Sequence, residues 1–501
     1  MKNTDRIQTA GGGRRGLIAL GAALALFLLQ ALPLLGTRWV EDENWYSAPG
    51  YTLMKEGRIR NPTLSDLEIE SKVDMRPPGT AVVEAAAFRV LGIGPVQART
   101  PSVLVGLGTI ILVFCLGSEL GGFWLGAAAA VVAAADNFMF LAARTVRPEA
   151  YVTFFGALAF LLYFRARRKG SFRLALLSGV SVGASVFFHP TGLALGAGLA
   201  ALSLWECKWR IVRDKIAWAL LIGFLLALTP MVARVTLSAE HMQSFRALYG
   251  RGHRAPWSEL LADERSRYSD FIGLSSQRFR LPVPVPLRLH IAILLLAAFA
   301  VLYAKNRRLF RSLLLLLLPN LLWWPYLLNN TPRYYAIVGP ILALVIVAAA
   351  IAAWDRWPKT AFAAAAVFAL TQVAGNAVLL YKSRDADYGK LTAQLRAVIP
   401  AGRSVYAANT FWLALYDHPL WTYMRSPFDY TIVHMKPDYL ILNDRVMMHG
   451  FGYGVDDFAE LRQQANAFAR LHATAVAHIE SPFYGDLDVY RVNYDSAAPK
   501  L

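Results

Sequence analysis

Long apolar runs alternate with short polar connections from residue 17 to about residue 381, and then they stop. The runs fall at 17–36, 101–120, 122–141, 149–165, 172–188, 190–206, 216–237, 288–304, 309–328, 334–354 and 358–381. Each is close to the roughly 17–25 residues a helix needs to cross the hydrocarbon core of a bilayer. They predict about eleven spans. One further segment, 79–94, is short and carries Glu84 and Arg89, so its pattern fits an amphipathic helix lying flat at the interface better than a crossing. The polar tail, residues 382–501, reads as a small α/β domain. "SVYAA" (404–408), "DYLILN" (438–443) and "LDVYRV" (487–492) have strand character, and "DFAELRQQANAFARL" (457–471) has helical periodicity.

Composition agrees with the pattern. The chain is 56% hydrophobic and 17% charged, with a mean hydropathy of +0.38. Soluble domains usually carry more charge. The first run lacks a clear small-x-small cleavage site and is read as a retained span. The domain division expected is therefore a transmembrane domain, 1–381, with an outer loop at 37–100, followed by the tail domain, 382–501.

The net charge of +17 raises the question of nucleic acid. The basic residues, however, sit in clusters between apolar runs: "RR" at 14–15, "RARRKGSFR" at 165–173, "KWRIVRDK" at 208–215 and "KNRRLFR" at 305–311. The positive-inside rule places such clusters in cytoplasmic loops, and no nucleic-acid-binding motif accompanies them. The rule also decides the topology. If 79–94 crossed the membrane, every later basic cluster would lie outside. If it lies at the interface, all four fall inside, the N-terminus is cytoplasmic and the tail is on the far face. Two cysteines, Cys115 and Cys207, define neither a disulfide framework nor a metal site.

With that topology, the outer face collects the candidate chemistry. The outer loop begins "RWVEDENWYSAPGYTLMKEG" (38–57), three consecutive carboxylates at a membrane edge where cations and aromatics are the usual residues. Asp42 and Glu43 suit a helix start, and they equally suit a general base or a sugar-hydroxyl anchor. "MRPPGTAV" (75–82) stiffens the chain at Pro77 and Pro78 and fixes Arg76 at the surface. There it serves either as a snorkelling side chain or as a phosphate clamp, for which the planar guanidinium is suited. "RTVRPEAY" (144–151) repeats the theme: Arg147 ends a loop, and Glu149 opens a helix as a cap or a ligand. His189 precedes Pro190 at an outer turn. "TPRYYAIVGP" (331–340) offers Arg333, Tyr334 and Tyr335, an aromatic belt or a substrate surface. Asp136 and Asn137 lie inside an apolar run, where polar side chains face a cavity or bond to a neighbouring helix.

These stretches resemble the GT-C fold glycosyltransferases of the protein O-mannosyltransferase and lipid A aminoarabinose transferase type. In "DENWYSAPGYTLMKEG", Asp42, Glu43, Tyr46 and Gly57 stand where that family has an acidic pair leaving the first span, a tyrosine three residues later and a glycine closing the loop helix. "MRPPGTAV" is similar to the family's Lys-Pro-Pro stretch, with Arg76 in the lysine's place, and "RTVRPEAY", "HPTGL" (189–193) and "PRYYAIVGP" resemble later stretches. Two departures stand out: Pro49-Gly50 interrupts what is usually a continuous helix, and Met75 occupies a position that is acidic in some relatives.

The resemblance implies an inverting glycosyltransferase that moves a sugar from a polyprenyl-phosphate donor to an acceptor hydroxyl on a glycolipid, glycan or protein. Its setting would be the periplasmic face of a bacterial inner membrane, with the tail domain in the same compartment. It implies Asp42 as base, Glu43 as its orienting or binding neighbour, and Arg76, Arg147 and Arg333 on the donor phosphate. Tyr46, Glu149, His189, Tyr334 and Tyr335 are then candidate substrate contacts. The resemblance implies no cofactor with certainty and leaves a divalent metal, used by some relatives, open. The alternatives are a lipid-linked oligosaccharide ligase or polymerase, signalled by the arginine- and histidine-bearing loop 238–287, and a non-enzymatic lipid-linked sugar flippase. The flippase predicts ionisable residues along a path through the bilayer.

Overall fold

The computed structural model describes residues 10–64, 71–249, 286–322, 332–422, 428–443 and 455–494. In chain order its principal helices are α1 (Ala10–Ala31), α2 (Glu41–Glu56), α3 (Gly79–Leu91), α4 (Pro95–Gly121), α5 (Phe123–Ala135), α6 (Asn137–Ala143), α7 (Pro148–Lys169), α8 (Phe172–Phe188), α9 (Gly192–Cys207), α10 (Lys215–Thr236) and α11 (Ala239–Tyr249). They continue with α12 (Pro286–Lys305), α13 (Arg307–Leu322), α14 (Gly339–Trp354), α15 (Pro358–Ser383), α16 (Tyr388–Val398) and α17 (Val455–His472). Among the described residues the apolar runs fall mainly on these helices; residues 323–328 of the run 309–328 lie outside the described residues, and the expected count of about eleven spans is not established. Among the described residues, six helices are long and apolar enough to cross a membrane, or seven if the pair α5–α6, bent by 65°, counts as one.

The chain forms two compact units. The first comprises residues 1–32, 102–237 and 249–381 and holds the long apolar helices. Small residues let its helices approach closely, as is usual where lipid removes the hydrophobic drive between them. A Cβ at Gly223 would meet the Leu176 carbonyl oxygen at 2.1 Å, and one at Gly179 the Leu220 oxygen at 2.0 Å. The α8–α10 contact therefore has glycine on both sides. The bend at α5–α6 is held by amides. Asp136 caps α6 by accepting the Met139 N–H at 2.7 Å. The Asn137 side chain donates to Asn376 on α15 at 2.6 Å, and Asn376 donates to Gln30 on α1 at 2.5 Å and to the Ala135 carbonyl at 3.1 Å. The intramembrane amides thus bond to one another and to backbone freed by the bend.

The basic clusters are also tied down. Arg168 pairs with Glu119 at 2.9 Å, and Arg167 pairs with Asp214 at 2.6 Å while donating to the Tyr163 hydroxyl at 3.0 Å. Asp214 in turn caps α10 through the N–H groups of Ile216 and Ala217. Ends of α4, α7 and α10 are joined at this polar edge.

The second unit comprises residues 33–101, 238–248 and 382–501. Its sheet has the order β2-β1-β3-β5-β4, with β1 (Val405–Ala407), β2 (Leu420–Thr422), β3 (Tyr439–Asn443), β4 (Ala473–Ile479) and β5 (Leu487–Val492). β1 runs parallel to β2 and β3, whereas β5 pairs antiparallel with β3 and β4, with Leu440 opposite Tyr490. Three strands and the helix near 457–471 were legible; β2, of three residues, and β4, alanine-rich and exposed, were not.

The outer loop packs on this domain. The Tyr484 hydroxyl accepts from the Trp39 N–H at 2.8 Å and donates to its carbonyl at 2.6 Å. The Asn44 side chain donates to the Asn409 carbonyl, and the Thr422 hydroxyl donates to the Thr63 carbonyl at 2.8 Å. Tyr51 meets Trp412 edge-on at 5.8 Å. α3, at 13 residues, rises only about 20 Å, short of a bilayer core. It belongs to this unit.

Glycine at the α8–α10 contact predicts a clear stability effect. Gly223→Val should lower the unfolding temperature in detergent, because overpacking costs typically about 1–3 kcal/mol. Gly21→Ala, with nothing within 4 Å of the added Cβ, should leave it unchanged. Equal unfolding temperatures for Gly223→Val and the parent would contradict the packing.

Candidate active site

α2 starts at the acidic triplet. Val40 precedes it without a side-chain acceptor, so the Glu43 carboxylate turns back to accept the Val40 N–H at 3.0 Å, one half of a capping box. Gly57 closes the helix with φ +69°, its N–H on the Leu53 carbonyl. The sequence led us to expect an interruption at Pro49-Gly50, but the helix is continuous from Glu41 to Glu56. Pro49 removes one N–H, and Gly50 serves a different purpose: it admits α3. A Cβ at Gly50 would stand 2.4 Å from the Glu84 Cβ and 3.1 Å from the Ala81 oxygen.

Glu43 is wholly buried, and its partner is a residue the sequence did not single out. Arg99, in the first turns of α4 and likewise 0% exposed, donates to both Glu43 oxygens, Nε to Oε1 at 2.8 Å and Nη2 to Oε2 at 2.7 Å. Its other N–H groups face the carbonyls of Leu34, Leu35, Thr37 and Arg38 at 2.5–3.0 Å. Arg99 thus gathers the chain leaving α1 and fastens it to the first turn of α2. Its position in the unremarkable stretch "VQART" gives no cue. The one sequence signal was Glu43, a carboxylate at an apolar boundary in need of a cation.

Asp42, beside Glu43, is half-buried. It lies in the first helical turn, where backbone N–H groups favour an anion. Trp45 and Tyr46 follow at i+3 and i+4, the spacing that places side chains on one helix face. Both line a shallow cleft together with Pro49, Ile59, Asp74, Arg76, Pro77, Pro78 and Ala81. Arg76 is held there on two sides. Asp74 accepts its Nη1 at 2.7 Å and its backbone N–H at 2.9 Å, and the guanidinium stacks over Trp45 at 4.2 Å from the ring centre. The unit therefore brings Asp42, Glu43, Tyr46 and Arg76 into one neighbourhood around the start of α2.

The remaining candidates lie in the other unit. Arg147 and Glu149 form a buried bidentate pair at 3.0 and 2.9 Å at the start of α7, with Pro148 between them at the first helical position. His189 ends α8 and its Nδ1 lies 2.9 Å from the Thr191 hydroxyl. The preceding Phe188 stacks on Tyr151 at 4.5 Å. Arg333, Tyr334 and Tyr335 fall in a 3₁₀ helix, Pro332–Val338, that packs against both α6 and α7. The Tyr335 ring is buried and lies 5.7 Å from Phe138. The part of the loop 238–287 beyond residue 249, which carried the ligase signal, lies outside the described residues. No group of three or more His, Cys, Asp or Glu residues that could hold a metal ion occurs among the described residues.

Residues 75–233 match the family model described as dolichyl-phosphate-mannose-protein mannosyltransferase. No curated protein sequence matches the chain. Among solved structures, ArnT from Cupriavidus metallidurans in the apo state is similar with a TM-score of 0.64 at 14% identity, over 97% of this chain and 99% of that one. The same protein bound to undecaprenyl phosphate is similar with a TM-score of 0.64 at 14% identity, over 98% and 100%. The Archaeoglobus fulgidus oligosaccharyltransferase tethered with an acceptor peptide follows at 0.54 and 11% identity, over 97% of this chain and 74% of that one. At these identities the structures establish the fold, and the matched segment supplies the enzyme class. The chain therefore has the GT-C fold, and over residues 75–233 it is similar to the mannosyltransferase family.

Proposed function

We propose that the protein transfers a sugar from a polyprenyl-phosphate donor to an acceptor hydroxyl, with inversion, at the periplasmic face of a bacterial inner membrane. The observation that carries this reading is the start of α2. There a half-buried Asp42 sits one turn from a cleft lined by Arg76, in a helix turn held by the Glu43–Arg99 pair. Asp42 accepts the proton of the acceptor hydroxyl as its oxygen attacks the anomeric carbon. The bond from that carbon to the phosphate oxygen breaks, and the lipid phosphate departs as an anion. A positioned base of this kind contributes about 10²–10⁴-fold. Positioned cations stabilise the leaving group as its charge develops.

Arg76 is the best-supported phosphate ligand, because its guanidinium lines the cleft and already rests on Trp45. Arg147 is committed to Glu149 in a buried bidentate pair, and Arg147 and Arg333 stand as candidate phosphate ligands on the family resemblance alone. Glu43 orients the turn. Tyr46 at the cleft contacts substrate; Glu149, His189, Tyr334 and Tyr335 stand as candidate substrate contacts on the family resemblance alone. The similarity to a structure bound to undecaprenyl phosphate supports a lipid-phosphate donor. Folding of the outer loop with the tail supports their sharing a compartment, and the positive-inside rule makes it the one opposite the cytosol. A flippase is disfavoured, because the intramembrane amides bond to one another across α1, α5–α6 and α15.

Two outcomes are expected. Asp42→Asn, supplied to a deletion strain, should fail to restore the envelope glycolipid or glycan lost on deletion, while its amount and unfolding temperature match the parent; full restoration would remove Asp42 from the mechanism. Arg99→Met should cost about 3–5 kcal/mol, the scale for stranding one partner of a buried pair. Adding Glu43→Gln should recover part of that loss, as read by thermal unfolding in detergent.

A further inference from the structure

One buried titratable group has no place in the chemistry above. Glu84 on α3 is 0% exposed, and neither carboxyl oxygen has a hydrogen-bond partner. Its Cβ abuts Gly50 of α2. Along the same two helices, the Ser47 and Thr80 hydroxyls are also buried without a partner. Ser47 precedes Gly50 by three residues and Thr80 precedes Glu84 by four, so all of these positions lie on the facing sides of α2 and α3.

A carboxylate in such a seam, with no cation and no donor, is too costly to keep charged; such a group holds its proton. The charged groups around it leave no other outcome. From α2 the nearest is Glu43, of the same sign. Arg99 of α4 is committed to Glu43 and to four carbonyls. In the loop before α3, Asp74 and Arg76 are paired with each other. Arg89, on α3 itself, is exposed. Burial holds the Glu84 carboxyl well above the ordinary range, and the Glu43 carboxylate adds to the shift.

We propose that Glu84 is a pH-responsive positioning residue of the transfer reaction: uncharged, it lets α3 close on Gly50 beside the Glu43–Arg99 pair; charged, it repels the Glu43 carboxylate and loosens the turn that presents Asp42. The sign follows from linkage. Below the ordinary carboxylate range both folded and unfolded chains carry the proton, and Glu84 has no effect. Above it, the unfolded chain releases the proton and the folded chain does not, so stability falls as pH rises, until the folded carboxyl ionises in turn. Across that window the folded-to-unfolded ratio drops by up to tenfold per pH unit.

This inference rests on the transferase reading, but its first test does not. Thermal unfolding of the purified full chain in detergent, from pH 5 to pH 9, is compared with that of Glu84→Gln and Glu84→Met, two uncharged replacements of similar length. Both variants should match the parent near pH 5 and become progressively more stable than it as pH rises. Parallel curves for all three proteins would overturn the proposal. The second test is glycan transfer in isolated membranes over the same range. The parent should lose activity on the alkaline side as Glu84 ionises, and the variants should keep it. A variant inactive at pH 6 despite normal stability would overturn the proposal, since the carboxyl itself would then be needed. Failure of the transferase reading shows separately, as activity surviving Asp42→Asn.

Discussion

Arg99 and Glu43 face each other with no water access, and the rest of the outer unit depends on that pair. Taking two charges out of water costs several kcal/mol per ion, and mutual attraction offsets the cost only when the remaining donors and acceptors are also satisfied. Here they are. The guanidinium spreads over two carboxylate oxygens and four backbone carbonyls, and the carboxylate also receives the Val40 N–H. Those carbonyls belong to residues 34–38, the chain leaving α1, and Arg99 belongs to α4. One side chain therefore fixes where α2 begins and how its first turn faces. Breaking it would leave an uncompensated buried charge and several orphaned carbonyls, which is why the geometry is rigid.

Polar groups inside the membrane unit behave differently. Gln30, Asn137, Gln372 and Asn376 close on one another and on the backbone at the 65° bend between α5 and α6. Neutral amides can do this without the desolvation cost of ions. Charged residues are kept at the edges, as in Arg167 with Asp214 and Arg168 with Glu119. The division of labour is physical: amides hold the bend, ion pairs hold the polar rim, and carboxylates with potential chemistry stand at the start of α2.

The approach of α3 to α2 shapes the cleft. Gly50 carries no side chain to keep the helices apart, and Pro77-Pro78 end the preceding loop so that α3 begins at Gly79. Asp74 and Trp45 then hold Arg76 in the wall of the cleft. A cation held this way keeps its reach toward a ligand while paying little ordering entropy on binding, the general advantage of pre-organised sites.

Periodicity and charge in the sequence alone were enough for the membrane class, the positions of the described apolar helices and three strands of the tail, because each is a local pattern with a fixed physical length or period. Asp42 and Arg76 were legible as candidates because charge at a membrane edge needs a reason. Tertiary structure alone decided their partners: that Glu43 belongs to Arg99, 56 residues away, that the helix runs through Pro49, that the outer loop folds with the tail, and that Glu84 is sealed against Gly50. Such facts depend on which atoms lie opposite each other after the chain closes on itself, and residue type at a given position carries no record of that distance.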